Sequence, residues 1–147
     1  MNGKNIILGV TGGIAVYKSA DLCSKLVSAG FDVRVVMTAN ALRLISDRIF
    51  LTLSKHPVLT DLFSGIQPRP EHVDLAEWAD LLVVAPAMNE NMWNSPVVQD
   101  NLAKIVDKLG VRTVGPDTGH LACGTSGKGR MAEPADILEA VQKILSA

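Results

Sequence analysis

Several features that would place this chain in a particular class of protein are absent from its sequence. No stretch approaches the ~18 consecutive apolar residues of a membrane-spanning helix, and Lys and Arg form no basic stripe, which argues against a nucleic-acid partner. The first ten residues, MNGKNIILGV, lack the apolar region and cleavage site of a signal peptide, so none is expected. The two cysteines, Cys23 and Cys123, are too few for a disulfide framework and predict free thiols in a reducing cytoplasm.

The bulk composition and the order of apolar runs predict the fold. The chain has 147 residues, a net charge of −1 and 48% hydrophobic residues, which predicts one domain over residues 1–147 with a substantial core. Four apolar runs predict strands at 5–11, 32–38, 81–85 and 111–114. Helical spacing predicts helices at 14–29, 40–54, 72–80, 96–109 and 134–145, and residues 115–132 read as a glycine-rich loop. This alternation predicts an α/β fold, a three-layer Rossmann/flavodoxin-like parallel sheet with helices on both faces.

A glycine pair follows the first predicted strand. Gly12 and Gly13 precede Ile14, where a helix opens. Glycines let a ligand approach the backbone, and the free N–H groups at a helix start favour an anion such as a phosphate. The spacing is not the G-x-G-x-x-G dinucleotide pattern, and a tight turn without a ligand explains it equally well.

An asparagine stands at the exit of the third predicted strand. Asn89 follows Ala85-Pro86-Ala87-Met88, at the carboxyl end of a parallel strand, where open α/β sheets bind ligands. Its amide can donate and accept at once, which suits a carboxylate or the edge of a flavin. Met92 and Trp93 follow it and are equally typical of a core.

Two further side chains could carry chemistry. His72 precedes the third strand, and its imidazole can exchange protons near neutral pH, although a solvated surface histidine is the simpler interpretation. Cys123 lies among glycines in LACGTSGKGRM, which predicts an accessible flap where Lys128 and Arg130 favour the thiolate. Cys23, inside a predicted helix, reads as a buried small residue. No CxxC or Cys/His spacing indicates a metal site.

Four motifs together resemble the flavin-dependent cysteine decarboxylases. They are GVTGGIAVYK (9–18), HVDLAEWADLLVVAPA (72–87), APAMNENMW (85–93) and GHLACGTSGKGRMAEP (119–134), and they span nearly the whole chain. The resemblance implies an FMN cofactor and decarboxylation of 4′-phosphopantothenoylcysteine to 4′-phosphopantetheine in coenzyme A biosynthesis. It also implies a cytoplasmic homotrimer, or a dodecamer built from trimers. A phosphopantothenate–cysteine ligase is expected to be fused to this chain or to act with it.

The resemblance also implies roles for single residues. His72 matches the base of the oxidation step, Asn89 the residue that holds the substrate carboxylate, and Cys123 the proton donor to the enethiolate. The flavin is expected against Gly12, Gly13, Ile14, Thr38, Ala87 and Asn91, and the substrate against Asn89, Met92 and Arg130.

Two other functions fit the same motifs. One is oxidative decarboxylation of the C-terminal cysteine of a peptide, and the other is a non-catalytic interaction subunit of the same fold. The LACGTSGKGRM flap and the lack of a peptide-binding insert favour the small phosphorylated substrate.

One departure from this family is visible in the sequence. The family has two Ala-Pro-Ala-like strand ends, whereas Ala85-Pro86-Ala87 here matches the first and the second at once. A strand-plus-helix step of roughly 30 residues is therefore expected to be missing. Three explanations are possible. Residues are omitted from this sequence, a deletion joined the two stretches that encode Ala-Pro-Ala, or the protein is a genuinely shortened relative. The third is the least favoured, because removal of an interior strand exposes unpaired backbone and apolar surface.

Overall fold

The computed structural model describes residues 3–61 and 71–146. The strands in chain order are β1 (Asn5–Val10), β2 (Asp32–Met37), β3 (Val83–Val84), β4 (Arg112–Thr113), β5 (Asp117–His120) and β6 (Ser126–Arg130). The helices are α1 (Val16–Ser28), α2 (Ala39–Leu42), α3 (Asp47–Ser54), α4 (Glu71–Trp78), α5 (Glu90–Trp93), α6 (Pro96–Leu109) and α7 (Pro134–Ser146).

A parallel sheet lies at the centre of the fold. β1 pairs with β2 along its whole length, and β3 pairs with β4. Single bridges, Val36↔Leu59 and Ile6↔Leu81, extend the sheet beyond β2 and join β1 to the segment that leads into β3. The order across the sheet is therefore the Leu59 segment, β2, β1, the Leu81 segment with β3, and β4. The β1–β2 and β3–β4 pairs and the two bridges are all parallel. The predicted α/β fold with a parallel sheet is confirmed.

The core lies on the β1–β2 side of the sheet. Val33, Val35 and Met37 alternate inward along β2, because successive side chains of a strand point to opposite faces. α1 buries Leu22 and Leu26, which are four residues apart and share one helical face. Full burial of a side chain of this kind stabilises the fold by about 1.5–3 kcal/mol. This half of the molecule therefore holds the strongest packing, and it supports the end of β1.

The helix prediction at 96–109 is confirmed, and local chemistry explains both ends. Pro96 stands in the first turn, where its missing N–H costs no hydrogen bond. Gly110 ends the helix with a φ of 63°, in the left-handed region that favours glycine. The predicted helix at 40–54 is two helices, α2 and α3, with an N-cap hydroxyl from Thr38 on the first and from Ser46 on the second.

The prediction of an irregular loop over residues 115–132 was wrong. β5 and β6 form an antiparallel hairpin in which Thr118 pairs with Lys128 and Gly119 with Gly127. Glycines carry no side chain, so the alternation of the strand left no hydrophobic signature in the sequence. The third and fourth strands are also shorter than predicted, since β3 and β4 pair over two residues each.

Candidate functional site

A cavity of about 730 Å³ lies at the carboxyl ends of β1 and β3, a volume typical of small-molecule and cofactor sites. Its walls are the turn between β1 and α1, the exit of β3, and the β5–β6 hairpin with its tip. The structure brings most of the predicted site residues to this cavity: Gly12, Gly13, Ile14, Ala87, Asn89, Met92, Cys123 and Arg130.

Other predicted site residues are placed differently. The Thr38 hydroxyl accepts a hydrogen bond from the Ala41 N–H (3.2 Å), and the Thr38 N–H donates to the Val10 carbonyl (3.1 Å). Thr38 therefore lies beside the end of β1 but outside the cavity lining. Asn91 is exposed on α5 and is also not part of the lining. His72 belongs to α4, and its side chain lies outside the described residues.

The two glycines of the β1–α1 turn differ in their surroundings. A Cβ at Gly12 would stand 2.6 Å from the Asn40 Cβ, so this position has no room for a side chain. A Cβ at Gly13 would have no heavy atom within 4 Å. Gly12 thus lets α2 approach the turn, while Gly13 leaves open space along the cavity wall. A flat, largely apolar ring system such as a flavin fits this wall, because the backbone can approach it closely.

Asn89 is held in place by the helix that it begins. Its Oδ1 accepts a hydrogen bond from the Met92 N–H at 2.8 Å, which makes it the N-cap of α5. The residue before it, Met88, donates its N–H to the Gly129 carbonyl at 2.8 Å. Since the acceptor oxygen of Asn89 is engaged, its NH₂ group is the part left to bind a ligand, and it can only donate. The site therefore suits a carboxylate at this point.

Cys123 stands at the tip of the hairpin and is exposed. The tip is closed by hydrogen bonds from the Leu121 N–H to the Thr125 carbonyl (2.8 Å) and from the Gly124 N–H to the Leu121 carbonyl (2.9 Å). The Cys123 Sγ lies 3.1 Å from the Thr125 Oγ1. This hydroxyl, with the Thr125 backbone N–H as a second donor, holds the pKa of the Cys123 thiol below its ordinary value.

The prediction that Lys128 and Arg130 favour the thiolate is corrected by these contacts. The Lys128 Nζ lies 5.5 Å from the centroid of the Trp93 ring, in a cation–π contact. The Arg130 guanidinium pairs with Glu133. Neither cation is among the causes of the lowered pKa of the Cys123 thiol, and the hydroxyl of Thr125 is the first of those causes.

Three polar side chains of the lining received no role from the sequence, namely those of Tyr17, Lys18 and His120. Lys18 is buried, and its Nζ donates to the Met131 carbonyl at 3.1 Å and to Glu133 Oε1 at 2.9 Å. Tyr17 and Lys18 follow Ile14 by three and four residues, so helical spacing could have placed them beside it. Lys18 is also the first cause of the lowered pKa of Glu133.

Among the residues that the structure describes, no group of three or more His, Cys, Asp or Glu side chains could hold a metal ion. Within the same part of the chain, no helix is both long and apolar enough to cross a membrane.

The chain is similar to proteins of coenzyme A biosynthesis. The coenzyme A biosynthesis bifunctional protein CoaBC of Bacillus subtilis is 37% identical over 97% of this chain, but the match covers 43% of the relative. The chain thus spans less than half the length of this relative. Among solved structures, a cysteine-to-serine mutant of PPC decarboxylase in complex with pantothenoylaminoethenethiol superposes with a TM-score of 0.82 at 25% identity, over 98% of this chain and 99% of that one. The FMN binding protein AtHal3 superposes with a TM-score of 0.78 at 25% identity, over 97% of each chain.

The comparisons also locate a shortening within the chain. The alignment with the Bacillus subtilis relative runs over 177 positions, whereas the chain has 147 residues. At least 30 positions of the alignment (177 − 147) therefore have no counterpart here. The Flavoprotein family matches residues 1–87 and 84–146, so residues 84–87 serve both matches, as the single Ala-Pro-Ala segment predicts. Because the two matches together extend over residues 1–146, the chain belongs to the Flavoprotein family.

Proposed function

We propose that this chain is an FMN-dependent decarboxylase that converts 4′-phosphopantothenoylcysteine to 4′-phosphopantetheine and carbon dioxide. The observation that carries the proposal is the cavity of about 730 Å³ shared by the Gly12–Gly13 turn, Asn89 and Cys123. These residues come from three distant parts of the sequence. The glycine turn lets a ligand approach the backbone closely, Asn89 can donate a hydrogen bond to a carboxylate, and Cys123 supplies an ionisable thiol.

In this proposal the cofactor lies against the β1–α1 turn and the exit of β3. Gly12, Gly13, Ile14 and Ala87 form the wall that holds it, and a contact of the cofactor with Thr38 or Asn91 would lie beyond this cavity lining. When bound, FMN supplies two-electron redox chemistry that no side chain of the protein can provide. The protein contributes the placement of the substrate and of the protons.

The substrate is placed by the opposite wall. The Asn89 NH₂ donates to the substrate carboxylate, in an orientation fixed by the hydrogen bond of its Oδ1 to the Met92 N–H (2.8 Å). Met92 and Arg130 line the same cavity as this amide and border the substrate. His72 accepts a proton from the substrate in the oxidation step, as a base that works near neutral pH. Cys123 then donates a proton to the enethiolate that remains after carbon dioxide has left.

The relatives support the reaction and its setting. CoaBC is named a bifunctional protein of coenzyme A biosynthesis, which favours a ligase part fused to this chain or acting with it. The solved PPC decarboxylase combines a cysteine-to-serine mutation with a bound pantothenoylaminoethenethiol, which favours a cysteine that acts at the last step. We further propose a cytoplasmic homotrimer or a dodecamer of trimers.

The test uses the full chain with FMN and 4′-phosphopantothenoylcysteine. We expect a yellow protein that releases carbon dioxide, and a Cys123→Ser variant that bleaches the flavin but stalls before product. Cys23→Ala is the matched control, because Cys23 is buried and is not part of the cavity lining, and it should turn over normally. Product formation by Cys123→Ser at the normal rate would show that the assigned role is wrong.

A second candidate, a non-catalytic interaction subunit of the same fold, is favoured by the at least 30 missing alignment positions. The two family matches overlap at residues 84–87, next to the cofactor wall at Ala87. A colourless protein that neither binds FMN nor releases carbon dioxide would support this candidate over the enzyme.

A further inference from the structure

The central sheet opens between β1 and β3. The two segments meet only at the Ile6↔Leu81 bridge and at a hydrogen bond from the Asp80 N–H to the Asn5 carbonyl (2.9 Å). Beyond Ile6, no residue of β1 has a bridge partner on this side within the described part of the chain. Gly9 is exposed although its strand is central, and a Cβ on it would meet no heavy atom within 4 Å. The free edge of β1 therefore presents backbone groups that ordinarily pair with a neighbouring strand.

The gap beside this edge is a second cavity, apolar and large. Its volume is about 520 Å³, and it is lined from β1, α1, β3, α6 and α7. Leu8, Leu22, Val83, Leu102 and Ile137 are representative of its walls. Protein interiors are close-packed and contain few voids larger than a water molecule. The size and lining of the gap therefore fit the apolar side chains of a further polypeptide segment.

The far wall of the gap is α6, which is only loosely attached to the rest of the fold. Its apolar and polar residues are segregated, yet none of its residues is buried. Val98, Leu102 and Ile105 share one face, line the gap and remain half-buried. An amphipathic helix is normally stabilised by burial of its apolar face, so α6 lacks most of the partner that its sequence requires.

The comparisons indicate what occupies this place in relatives. Residues 84–87, which serve both family matches, border the gap at the end of β3. The at least 30 additional alignment positions of the Bacillus subtilis relative are enough for a strand of about 5–6 residues, a helix of about 11 and their connections. Length, position and apolar lining all favour one strand followed by one helix.

We propose that the gap between β1 and β3 is a docking groove for an extended apolar strand followed by a helix, supplied by another polypeptide. The strand pairs with the free edge of β1, which is β-strand addition into the interior of a sheet. The helix packs on the apolar face of α6. This inference concerns assembly and does not depend on the proposed decarboxylation.

A second copy of this chain is not the proposed occupant. Each copy has the same shortening, and its β1 and β2 are already paired with each other along their whole length. Within residues 3–61 and 71–146, a copy therefore offers no spare apolar strand followed by a helix.

The probe is a synthetic peptide that copies the residues of the Bacillus subtilis relative without counterpart here, labelled with a fluorophore and titrated with the full chain. We expect saturable one-to-one binding in fluorescence anisotropy, and none with a scrambled peptide of the same composition. Hydrogen exchange at the amides of β1 should slow when the peptide binds, since strand addition pairs them. No flavin or turnover enters these measurements, so the groove and the proposed reaction are tested separately.

A matched pair of variants on α6 locates the binding site. Leu102→Asp places an unpaired carboxylate in the groove and should weaken binding at least about tenfold. Val106→Asp lies on the same helix outside the gap lining and should change binding less than about twofold. Neither position is buried, so both variants should fold.

Four results would each overturn the proposal. They are the absence of saturable binding, equal binding of the scrambled peptide, unchanged exchange at β1, and equal losses in the two variants. Self-association of the chain that excludes the peptide would overturn it as well, because the occupant would then be a second copy.

Discussion

Substitution of Gly129 by alanine should release the β5–β6 hairpin from the site. Gly129 has a φ of 147°, and a Cβ there would overlap the Met88 carbonyl, which is backbone and cannot rotate away. The hairpin must therefore shift, and it loses the 2.8 Å hydrogen bond from the Met88 N–H to the Gly129 carbonyl, a contribution of about 1 kcal/mol. It also loses the Lys128–Trp93 contact, about 0.5–1 kcal/mol at an exposed site.

Backbone strain adds about 1–2 kcal/mol, because alanine at a positive φ carries a Cβ that glycine lacks. Together these terms give about 3 kcal/mol, which corresponds to roughly a hundredfold fall in the ratio of docked to undocked hairpin. Hydrogen exchange measured by mass spectrometry should show the amides of β6 exchanging roughly a hundredfold faster in Gly129→Ala. Turnover should fall with it, since Cys123 is carried by the same hairpin.

Gly119→Ala is the control in the opposite strand. A Cβ there would stand 3.3 Å from side-chain atoms of Arg130, which can move, so β6 exchange should change less than about threefold. Equal exchange in Gly129→Ala and the parent chain would refute the reasoning, because the overlap with Met88 would then have been relieved at no cost to the hairpin.

Two further predictions rest on lowered pKa values. Thr125→Val removes the hydroxyl that lowers the pKa of the Cys123 thiol, so alkylation of Cys123 by iodoacetamide at pH 7 should slow. Thr125→Ser keeps a hydroxyl and should alkylate at the parent rate. An unchanged rate in Thr125→Val would contradict the assigned cause. The pKa of Asp80 is lowered first by the Asn5 N–H (2.8 Å) and then by Lys4. Its contribution to stability is therefore present above the ordinary carboxyl pKa near 4 and is lost as the pH falls through the lower, folded-state pKa. Urea midpoints measured between pH 6 and 2 should fall less steeply in Asp80→Asn, and parallel curves would exclude this carboxylate as a source of the acid sensitivity.

The sequence predicted the elements whose patterns are carried by side chains. α1 and α6 show helical spacing and end near Gly30 and Gly110, and the strands at 5–11 and 32–38 are continuous apolar runs that the structure places in β1 and β2. The glycine turn and Asn89 were recognised for the same reason, since each follows a predicted strand at the edge where parallel sheets bind ligands.

The hairpin and the environment of the thiol could not be predicted in this way. Glycines in β5 and β6 remove the alternation of polar and apolar side chains by which a strand is recognised in a sequence. Only the backbone pairing in the folded chain identifies these strands. The effect of Thr125 on Cys123 depends on a turn tight enough to bring the Oγ1 within 3.1 Å of the Sγ, whereas charge counting pointed to Lys128 and Arg130. Only the folded chain shows that those two cations are already engaged.

The ion pair of Lys18 with Glu133 has a mechanical consequence. Lys18 also binds the Met131 carbonyl, so it fixes the chain to α1 immediately after β6 ends at Arg130. The hairpin is thereby held at its base, while the Met88–Gly129 hydrogen bond and the Lys128–Trp93 contact hold β6 farther along its length. Because β6 spans about 17 Å at 3.4 Å per residue, a rotation about Arg130 would have to break these two contacts before it carried Cys123 out of the cavity wall.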